Sequence, residues 1–291
     1  MARALAIVNP AAGRGTARAD VEAVLGLLGE RFDAIDVVET RLDHPTAGEL
    51  GQRAVEERYD VAIAAGGDGT VGGVARALVG TDVTLGILPF GTFMNIARAL
   101  EIPRDDPLAA ATLIARSTMR RIDVGDVDGR VFVEAAGIGL DADAFGAGRA
   151  IQRGERALAV AALRAFLRRR SVRVKIEIDG RARWQRVLQA VVCNGPWYGW
   201  GFEVAPGAHV DDGKLDLVIF GDSRWRVLRE LVAAAIDRDR PARGHRYRGA
   251  RITLSAEREL PVHADGLFVG PLPQTFTVRP NALRVFAPGA S

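Results

Sequence analysis

The amino-terminal part of the sequence repeats one local order: an apolar run, a glycine-containing turn, then a segment with helical periodicity. The turns fall at residues 9–15, 66–70 and 91–92. Short buried strands that alternate with helices of about ten residues predict a parallel sheet covered by helices on both faces. Because such turns follow the carboxyl ends of parallel strands, we expect all three to meet at one edge of the sheet and form a single crevice.

The second turn, GGDGT, places one carboxylate among glycines. Gly66, Gly67 and Gly69 flank Asp68, so the backbone can approach a ligand closely. Free amide groups at the start of the following helix would suit a phosphate. Since a carboxylate repels phosphate, Asp68 should meet a metal ion, a ribose hydroxyl or a hydroxyl that loses its proton. Taken alone, GGDGT is also compatible with an ordinary turn.

Two common nucleotide-binding patterns are missing. No GxGxxG follows the first strand, and no GxxxxGK[ST] occurs anywhere in the chain. This disfavours a hydride-transfer enzyme and an ordinary P-loop kinase.

After about residue 122 the predicted strands follow one another closely. Hairpin signals occur at Asp128–Gly129 and Asp179–Gly180. This half is therefore predicted to be mostly antiparallel, a sandwich or a barrel-like sheet. Two helical insertions are expected, near residues 149–169 and 223–236.

Length and composition fit a two-domain globular protein. The chain has 291 residues, 48% of them hydrophobic and 26% charged, which suffices for a buried core. No apolar run approaches the roughly 18 residues of a spanning helix, and the sequence enters a strand without a signal-peptide layout. We therefore expect a cytoplasmic protein. The net charge of +3 gives no indication of a nucleic-acid partner. The lone cysteine, Cys193, excludes a disulfide within the chain and reads as a core thiol.

Several motifs in a fixed order resemble one family. They are NPAAGRG, GGDGT, LGILPFGT with NIARAL behind it, RRIDVGDVDGRVFVEAAGIGLDA, NGPWYGWG, PGAHVDDGKLDLVIF, HADG and the final PNALRVFAP. In this combination the chain resembles the diacylglycerol kinase catalytic-domain family, which includes bacterial lipid kinases, sphingosine kinases and ceramide kinases. The resemblance covers essentially the whole sequence.

The resemblance implies two domains. The first would be a doubly wound α/β nucleotide-binding domain of residues 1–122, completed by a returning segment of residues 280–291. The second would be an antiparallel β-sandwich of residues 123–279 that takes the lipid. ATP would lie in the cleft between them, with a lipid alcohol as the acceptor.

The resemblance also implies roles for individual residues. Those expected to contact the nucleotide are Asn9, Thr40, Gly66, Gly67, Asp68, Gly69, Thr70 and Thr92. Asp68 and Asp123 would belong to an acidic network around Mg²⁺, and the residue matching Asp68 is a proposed base in sphingosine-kinase-like members. A structural Mg²⁺ would bind residues 209–214 through the Asp212 side chain and the carbonyls of His209 and Lys214, which are oxygen ligands suited to a hard cation. Without the resemblance, Asp212 reads as part of a turn.

The sequence departs from the family pattern at three places. The family usually has an acidic general base directly after the late aspartate and glycine, but here Asp265–Gly266 is followed by Leu267. The aspartate that commonly follows the glycine–threonine motif is the neutral Asn95. The asparagine and glutamate usual behind GGDGT are Gly72 and Gly73.

These departures leave two functions open. Loss of a general base typically lowers a rate by about 10² to 10⁴, so the protein could be a nucleotide- or lipid-binding homologue without turnover. Alternatively, Asp68, Asp123 or Asp265 takes over and phosphoryl transfer continues, with Mg²⁺ held by the substrate phosphates. An NAD-kinase-like enzyme would share GGDGT but lacks the other motifs.

One basic amphipathic segment bears on membrane contact. Residues 157–167 are apolar and flanked by arginines, so they could lie on an anionic bilayer, although a core-facing helix with solvated arginines would look the same. Transient contact with a membrane surface would suit a lipid acceptor. The aromatic turn NGPWYGWG could line a lipid chain or simply pack between strands. His263, two residues before Asp265, is the one histidine worth testing for catalysis.

Overall fold

The computed structural model describes residues 2–12, 17–41, 43–116, 119–139, 170–221 and 244–289. The helices expected near 149–169 and 223–236, and the amphipathic segment 157–167, lie outside these residues. In the described part of the chain, no helix combines the length and apolar character needed to span a bilayer.

Contacts divide the chain into two compact units. The first comprises Met1–Val124, Val210–Asp212 and Arg279–Ser291, and the second comprises Gly125–His209 and Gly213–Val278. The last strand, β18 (Gln274–Phe286), contributes residues to both units. The first unit is therefore built from three separate stretches of sequence.

A parallel sheet forms the centre of the first unit, with the strand order β2-β1-β3-β4. The strands are β1 (Arg3–Val8), β2 (Ala34–Glu39), β3 (Val61–Gly66) and β4 (Thr84–Pro89). The end of β18 continues the sheet in parallel with β4, with Val285 opposite Leu85. All residues of β3 and β4 are buried, which explains why their sequences are continuous apolar runs without alternation.

Five helices accompany this sheet: α1 (Ala17–Leu28), α2 (Ala47–Glu56), α3 (Asp68–Leu78), α4 (Asn95–Ala99) and α5 (Pro107–Arg116). Helix α2 begins at a capping box. The Thr46 hydroxyl oxygen accepts the backbone amide of Glu49, and the Glu49 carboxylate accepts the backbone amide of Thr46. Helix α3 begins at Asp68, inside the GGDGT turn. The amides of Thr70 and Val71 already donate to the Gly67 carbonyl, so the GGDGT turn includes the first helical turn.

The second unit contains two antiparallel sheets. One has the order β18-β15-β8-β9, the other β14-β13-β10-β7-β16-β17, and β11 pairs with β12 in a separate ribbon. The strands are β5 (Met119–Val127, shared with the first unit), β6 (Arg130–Phe132), β7 (Ala135–Ile138), β8 (Val172–Ile178), β9 (Arg181–Val187), β10 (Gln189–Cys193), β11 (Trp197–Tyr198), β12 (Phe202–Glu203), β13 (Leu215–Phe220), β14 (His245–Gly249), β15 (Arg251–Ala256), β16 (Pro261–Ala264) and β17 (Leu267–Pro271).

A single apolar core joins the two sheets of the second unit. It includes Ile176, Leu254 and Phe276 from the first sheet together with Val192, Leu217 and Val262 from the second. The unit is thus an antiparallel β-sandwich, as predicted. Both predicted hairpins are present, because Asp128 and Asp179 adopt positive φ angles of 51° and 47° and each is followed by a glycine with positive φ.

Candidate functional site

Two glycine turns of the first unit touch through their backbones. A Cβ on Gly91 would lie 2.5 Å from the Cα of Gly67, and a Cβ on Gly66 would lie 2.6 Å from the Oγ1 of Thr70. Neither position has room for a side chain. The Phe90 amide also donates to the Gly66 carbonyl at 3.0 Å. The turns after β3 and β4 therefore meet at the carboxyl edge of the sheet, as the sequence predicted.

The first turn joins the same edge. The side-chain amide of Asn9 donates to Thr70 Oγ1 at 3.1 Å, and the Asn9 backbone amide donates to the Ala65 carbonyl at 2.9 Å. Thr40, at the end of β2, donates its amide to the Val8 carbonyl at 2.8 Å. The residues predicted to contact a nucleotide in the first unit thus follow neighbouring strand ends, next to the amino terminus of α3. Such a helix end favours anions.

Asp68 is the first residue of α3 and is partly buried. Its carboxylate accepts the amide N–H of Ile96, at the start of α4, at 3.4 Å. Burial raises the pKa of Asp68, while the backbone amides of Ile96, Asn95 and Met94 act in the opposite direction. The carboxylate therefore links the GGDGT turn to the turn after β4, in an environment that disfavours its charge.

Two residues that depart from the family pattern lie near this edge, Asn95 and Gly73. Asn95 is buried and begins α4. A Cβ on Gly73 would lie 3.1 Å from Ala47 Cβ and 3.3 Å from the Gly48 amide nitrogen, so Gly73 packs against the start of α2. Gly73 stands where the family usually has a glutamate, and its packing leaves little space for a longer side chain between α2 and α3.

Asp123 is buried, with a relative exposure of 2%. Both its carboxylate and its own amide bond to backbone groups. Its Oδ1 accepts the amide of Asn281 in β18 at 2.8 Å, and its own amide donates to the Val210 carbonyl at 2.6 Å. Asp123 therefore ties the returning strand and residues 210–212 into the first unit. The predicted role in a magnesium network would be additional to this contact.

Residues 209–214, expected to hold a structural Mg²⁺, form an irregular segment in which Gly213 has a φ of 70°. In the described residues, no three His, Cys, Asp or Glu side chains are grouped as a metal site. The expected ligands are one carboxylate, Asp212, and two backbone carbonyls, those of His209 and Lys214. The bond to Asp123 uses the carbonyl of Val210, which is not among them. The donor set of hard oxygen atoms therefore fits Mg²⁺.

Asp265, in the second unit, sits at the turn between β16 and β17. Its carboxylate accepts three backbone amides: Val133 at 2.9 Å, Glu134 at 3.0 Å and Ala135 at 3.3 Å. Its own amide donates to the Ala135 carbonyl at 3.0 Å. The HADG motif thus fastens a hairpin to the strand segment before β7.

Two residues that the sequence did not single out hold the same segment. Asn194 is buried, donates its side-chain amide to the Val133 carbonyl at 3.0 Å, and donates its backbone amide to the Glu134 carbonyl at 3.0 Å. The Glu134 side chain accepts the Gly199 amide at 2.8 Å, inside the aromatic turn. The available signal was a single acid within the otherwise apolar run VFVEAAGIG.

The side chains after Asp265 are apolar and face solvent. Leu267 is 54% exposed and Phe268 is 57% exposed. The ring of His263 lies 5.3 Å from that of Phe268. Among the residues predicted for the site, Asp265 belongs to the second unit, whereas Asn9, Asp68 and Thr92 belong to the first.

Comparisons with known proteins agree with these features. The family model for the diacylglycerol kinase catalytic domain matches residues 3–127, and the one described as the YegS C-terminal NAD kinase beta sandwich-like domain matches residues 134–287. Diacylglycerol kinase of Bacillus subtilis (strain 168) is 30% identical over 288 residues, which cover 95% of this chain and 93% of that protein. Diacylglycerol kinase of Mycobacterium tuberculosis (strain ATCC 25618 / H37Rv) is 30% identical, with 97% and 94% covered.

A solved structure supports the fold. The crystal structure of a diacylglycerol kinase from Bacillus anthracis str. Sterne superposes with a TM-score of 0.78 at 21% identity, covering 98% of this chain and 97% of that one. Sequence relatives and family models thus agree over nearly the whole length. The chain therefore belongs to the diacylglycerol kinase family.

Proposed function

We propose that this protein transfers the γ-phosphoryl group of ATP to a hydroxyl of diacylglycerol or a similar lipid alcohol. Family membership supports a lipid kinase, and kinases of this family use ATP. The observation that carries the proposal is the meeting of backbone-only turns at Gly67 and Gly91 next to the start of α3. Bare backbone at a helix amino terminus suits a polyphosphate, because amide groups and the helix dipole both favour negative charge.

The residues of the first unit would divide the work of binding ATP. Asn9, Thr40 and Thr92 would contact the nucleotide, and the GGDGT turn would approach its phosphates. Mg²⁺, when bound, would neutralise phosphate charge, which is a large part of catalysis in phosphoryl transfer. Asp68 and Asp123 are the carboxylates that we propose for its acidic network.

We further propose that Asp212, with the carbonyls of His209 and Lys214, holds a structural Mg²⁺. The expected effect of the ion is to fix the segment whose Val210 carbonyl accepts the Asp123 amide. Because diacylglycerol resides in bilayers, turnover would take place at a membrane surface.

The second candidate is a homologue that binds ATP or lipid without turnover. Two observations favour it: the position of the expected base is the exposed Leu267, and the nearby Asp265 carboxylate is occupied by three amides. A carboxylate used in this way is poorly placed to take a proton from a substrate.

Transfer of radiolabelled γ-phosphate to a total lipid extract distinguishes the two candidates. A labelled lipid product, identified by chromatography against phosphatidic acid, would support the kinase and name the acceptor class. ATP binding by calorimetry without labelled lipid would favour the binding homologue. A chain that binds neither ATP nor lipid, and that labels no lipid, would contradict both.

A further inference from the structure

The hairpin of β8 and β9 turns one face away from the core of the second unit. Val174 and Ile176 of β8 belong to that core. Because side chains alternate along a strand, Arg173, Lys175 and Glu177 lie on the opposite, outward face. Residues directly opposite each other in an antiparallel pair share a face, so the register of β9 identifies its outward residues as well.

Trp184 of β9 lies on this outward face, directly opposite Lys175. It is 54% exposed. The Arg173 guanidinium lies 5.1 Å from the centroid of the Trp184 ring, which is close enough for a cation–π contact. The hairpin therefore presents a large aromatic ring to solvent beside two cations.

Two arginines also face each other next to this ring. Arg173 of β8 is paired directly with Arg186 of β9, and both are exposed. Like charges at directly opposed positions destabilise a sheet. The Glu257 carboxylate, 3.5 Å from the Arg173 guanidinium, offsets this only in part. The stability of the second unit therefore does not explain why both positions are arginine.

The position of β9 in its sheet explains some of these residues but not all. β9 is the last strand in the sheet order, and its sequence RARWQRV holds three arginines and no acid. Charged residues on an edge strand discourage pairing with another chain. An exposed tryptophan among them has the opposite tendency, since a large apolar ring favours contact.

The outward face carries an excess of positive charge. In the fully described strands β8, β9 and β15, its one carboxylate is Glu177, which lies 3.9 Å from the Lys175 ammonium group. The outward cations of the same strands are Arg173, Lys175, Arg186 and Arg251. A cationic sheet face with a tryptophan in it complements an anionic layer that has apolar material beneath it.

We propose that the outward face of β8 and β9 binds the surface of an anionic phospholipid bilayer. Trp184 enters the headgroup region, where tryptophan is enriched in membrane proteins, and the arginines contact lipid phosphates. This inference rests on the proposed function for its purpose, because a lipid acceptor resides in a bilayer. Binding itself requires neither ATP nor turnover.

The shape of the face favours a bilayer over a nucleic acid. Single-stranded nucleic acids bind in grooves that carry several aromatic rings for successive bases. Here one tryptophan lies on an open sheet face, and the rest of that face consists of small polar and charged side chains. Thr253 and Thr275, whose hydroxyls are 3.0 Å apart, are examples.

Sedimentation with vesicles tests the proposal on the full-length protein without ATP. The wild type should bind vesicles made of equal parts phosphatidylcholine and phosphatidylglycerol, and it should not bind vesicles of phosphatidylcholine alone. Binding should weaken as salt is added, because salt screens the attraction between arginines and headgroups.

Arg186→Glu separates membrane binding from stability. Reversing one charge should lower the affinity for the mixed vesicles about 20- to 30-fold, since each cation near an anionic surface contributes about fivefold. The melting temperature should stay the same or rise, because the new carboxylate faces Arg173. Arg116→Glu is the matched control. It makes the same charge change at an exposed arginine of α5 in the first unit and should lower the affinity by less than about threefold.

Fluorescence shows whether Trp184 itself meets the lipid. The emission of the wild type should shift to shorter wavelength when the mixed vesicles are added, because the ring leaves water. Trp184→Phe keeps an aromatic ring and all other tryptophans, so it should still bind but lose most of the shift. A shift of wild-type size in Trp184→Phe would place another tryptophan at the membrane and overturn the proposal.

Phosphate transfer to dioctanoylglycerol in detergent micelles distinguishes this proposal from the proposed function. Arg186→Glu should retain wild-type transfer there, because the acceptor is supplied without a charged bilayer. Transfer by a wild type that binds no anionic vesicles, or equal vesicle binding by Arg186→Glu and the wild type, overturns this inference alone. Binding to polyuridylate but not to vesicles also overturns it. Vesicle binding that Arg186→Glu loses, without transfer to any lipid by the wild type, supports the membrane surface and contradicts the kinase.

Discussion

Backbone amides hold three of the aspartates that the sequence marked as candidates for chemistry. Asp68 accepts from Ile96, Asp123 from Asn281, and Asp265 from three consecutive amides. Such bonds orient a carboxylate without neutralising its charge, so a role in structure and a role in binding Mg²⁺ can coexist on one side chain. The three differ in burial, and this difference should separate them by mutation.

For Asp68→Asn we expect loss of kinase activity by about 10² or more, with the fold intact. Asparagine can still accept the Ile96 amide. Burial disfavours the charged form of Asp68 and so raises its pKa, and the neutral asparagine avoids this cost. The melting temperature at pH 7 should therefore equal or exceed that of the wild type. Phosphate transfer and thermal unfolding are measured on the same preparation, and unchanged turnover would refute the assigned role.

For individual residues, the sequence predicted which ones would lie at the same edge of the sheet but not which backbone contacts the carboxylates would make. Asn9, the GGDGT turn and Gly91 could be predicted together because parallel strands end at a common edge. The triple amide contact of Asp265 could not, since it depends on where a strand segment more than a hundred residues earlier passes. Glu134 was missed for the same reason, although a lone acid in an apolar run was visible.

Among the elements, the turn after β3 and the turn after β4 pack as a pair. Gly66→Ala and Gly91→Ala would each force a Cβ to within 2.6 Å or less of a neighbouring atom. We expect each to cost about 1–3 kcal/mol of stability, as overpacking does. Chemical denaturation monitored by circular dichroism measures this directly.

Gly69→Ala is the control for these variants. A Cβ at Gly69 meets nothing within 4 Å, and the residue lies in the first turn of α3. This variant should be at least as stable as the wild type. If the turn approaches phosphate as proposed, its affinity for ATP should nevertheless fall severalfold. Unchanged ATP affinity would argue against close approach at this residue.

The start of α2 gives the protein a pH-dependent element. The amide of Thr46, the ring of His44 and the hydroxyl of Thr46 all bond to the Glu49 carboxylate and lower its pKa from 4.5 to about 2. Because the folded pKa lies below the unfolded one, the stabilisation is complete above about pH 4.5 and is lost as pH falls towards 2.

Glu49→Gln should therefore lower the melting temperature slightly at pH 7, and its difference from the wild type should shrink between about pH 4.5 and 2. Glu56→Gln, an exposed change on the same helix, should show little effect at either pH. If the melting temperatures of Glu49→Gln and the wild type differed equally at both ends of this pH range, the stabilising contribution of the capping box would be contradicted.

Helices and strands could be predicted from the sequence where hydrophobic periodicity and turn residues indicated the same element. The strands of the parallel sheet and both hairpins were predicted, since glycine and aspartate in left-handed turns are local signals. Helix α5 was not predicted, although PLAAATLIAR is rich in alanine, which favours a helix.

For the whole molecule, the last strand completes the first unit. Leu283, Val285 and Phe286 of β18 are almost fully buried, and Ala282 accepts the Gly80 amide at 2.8 Å. Deleting residues 283–291 should prevent the first unit from folding, because replacing even one such large core side chain by alanine typically costs about 2–5 kcal/mol.

Deleting only residues 288–291 is the matched truncation, since it leaves those three side chains in place. This variant should retain the wild-type melting temperature to within a few degrees. NMR spectra of the backbone amides of both truncated proteins would show which unit is affected. A first unit that folds without residues 283–291 would contradict the importance of the returning strand.

The shared strand also has a consequence for biosynthesis. A ribosome delivers residues 1–124 first, but the strand that borders β4 leaves the exit tunnel only after the entire sandwich has been synthesised. The parallel sheet of the first unit therefore keeps one edge unpaired until the last strand, β18, has been synthesised. Chaperone binding to nascent chains of this protein should be strongest during that interval.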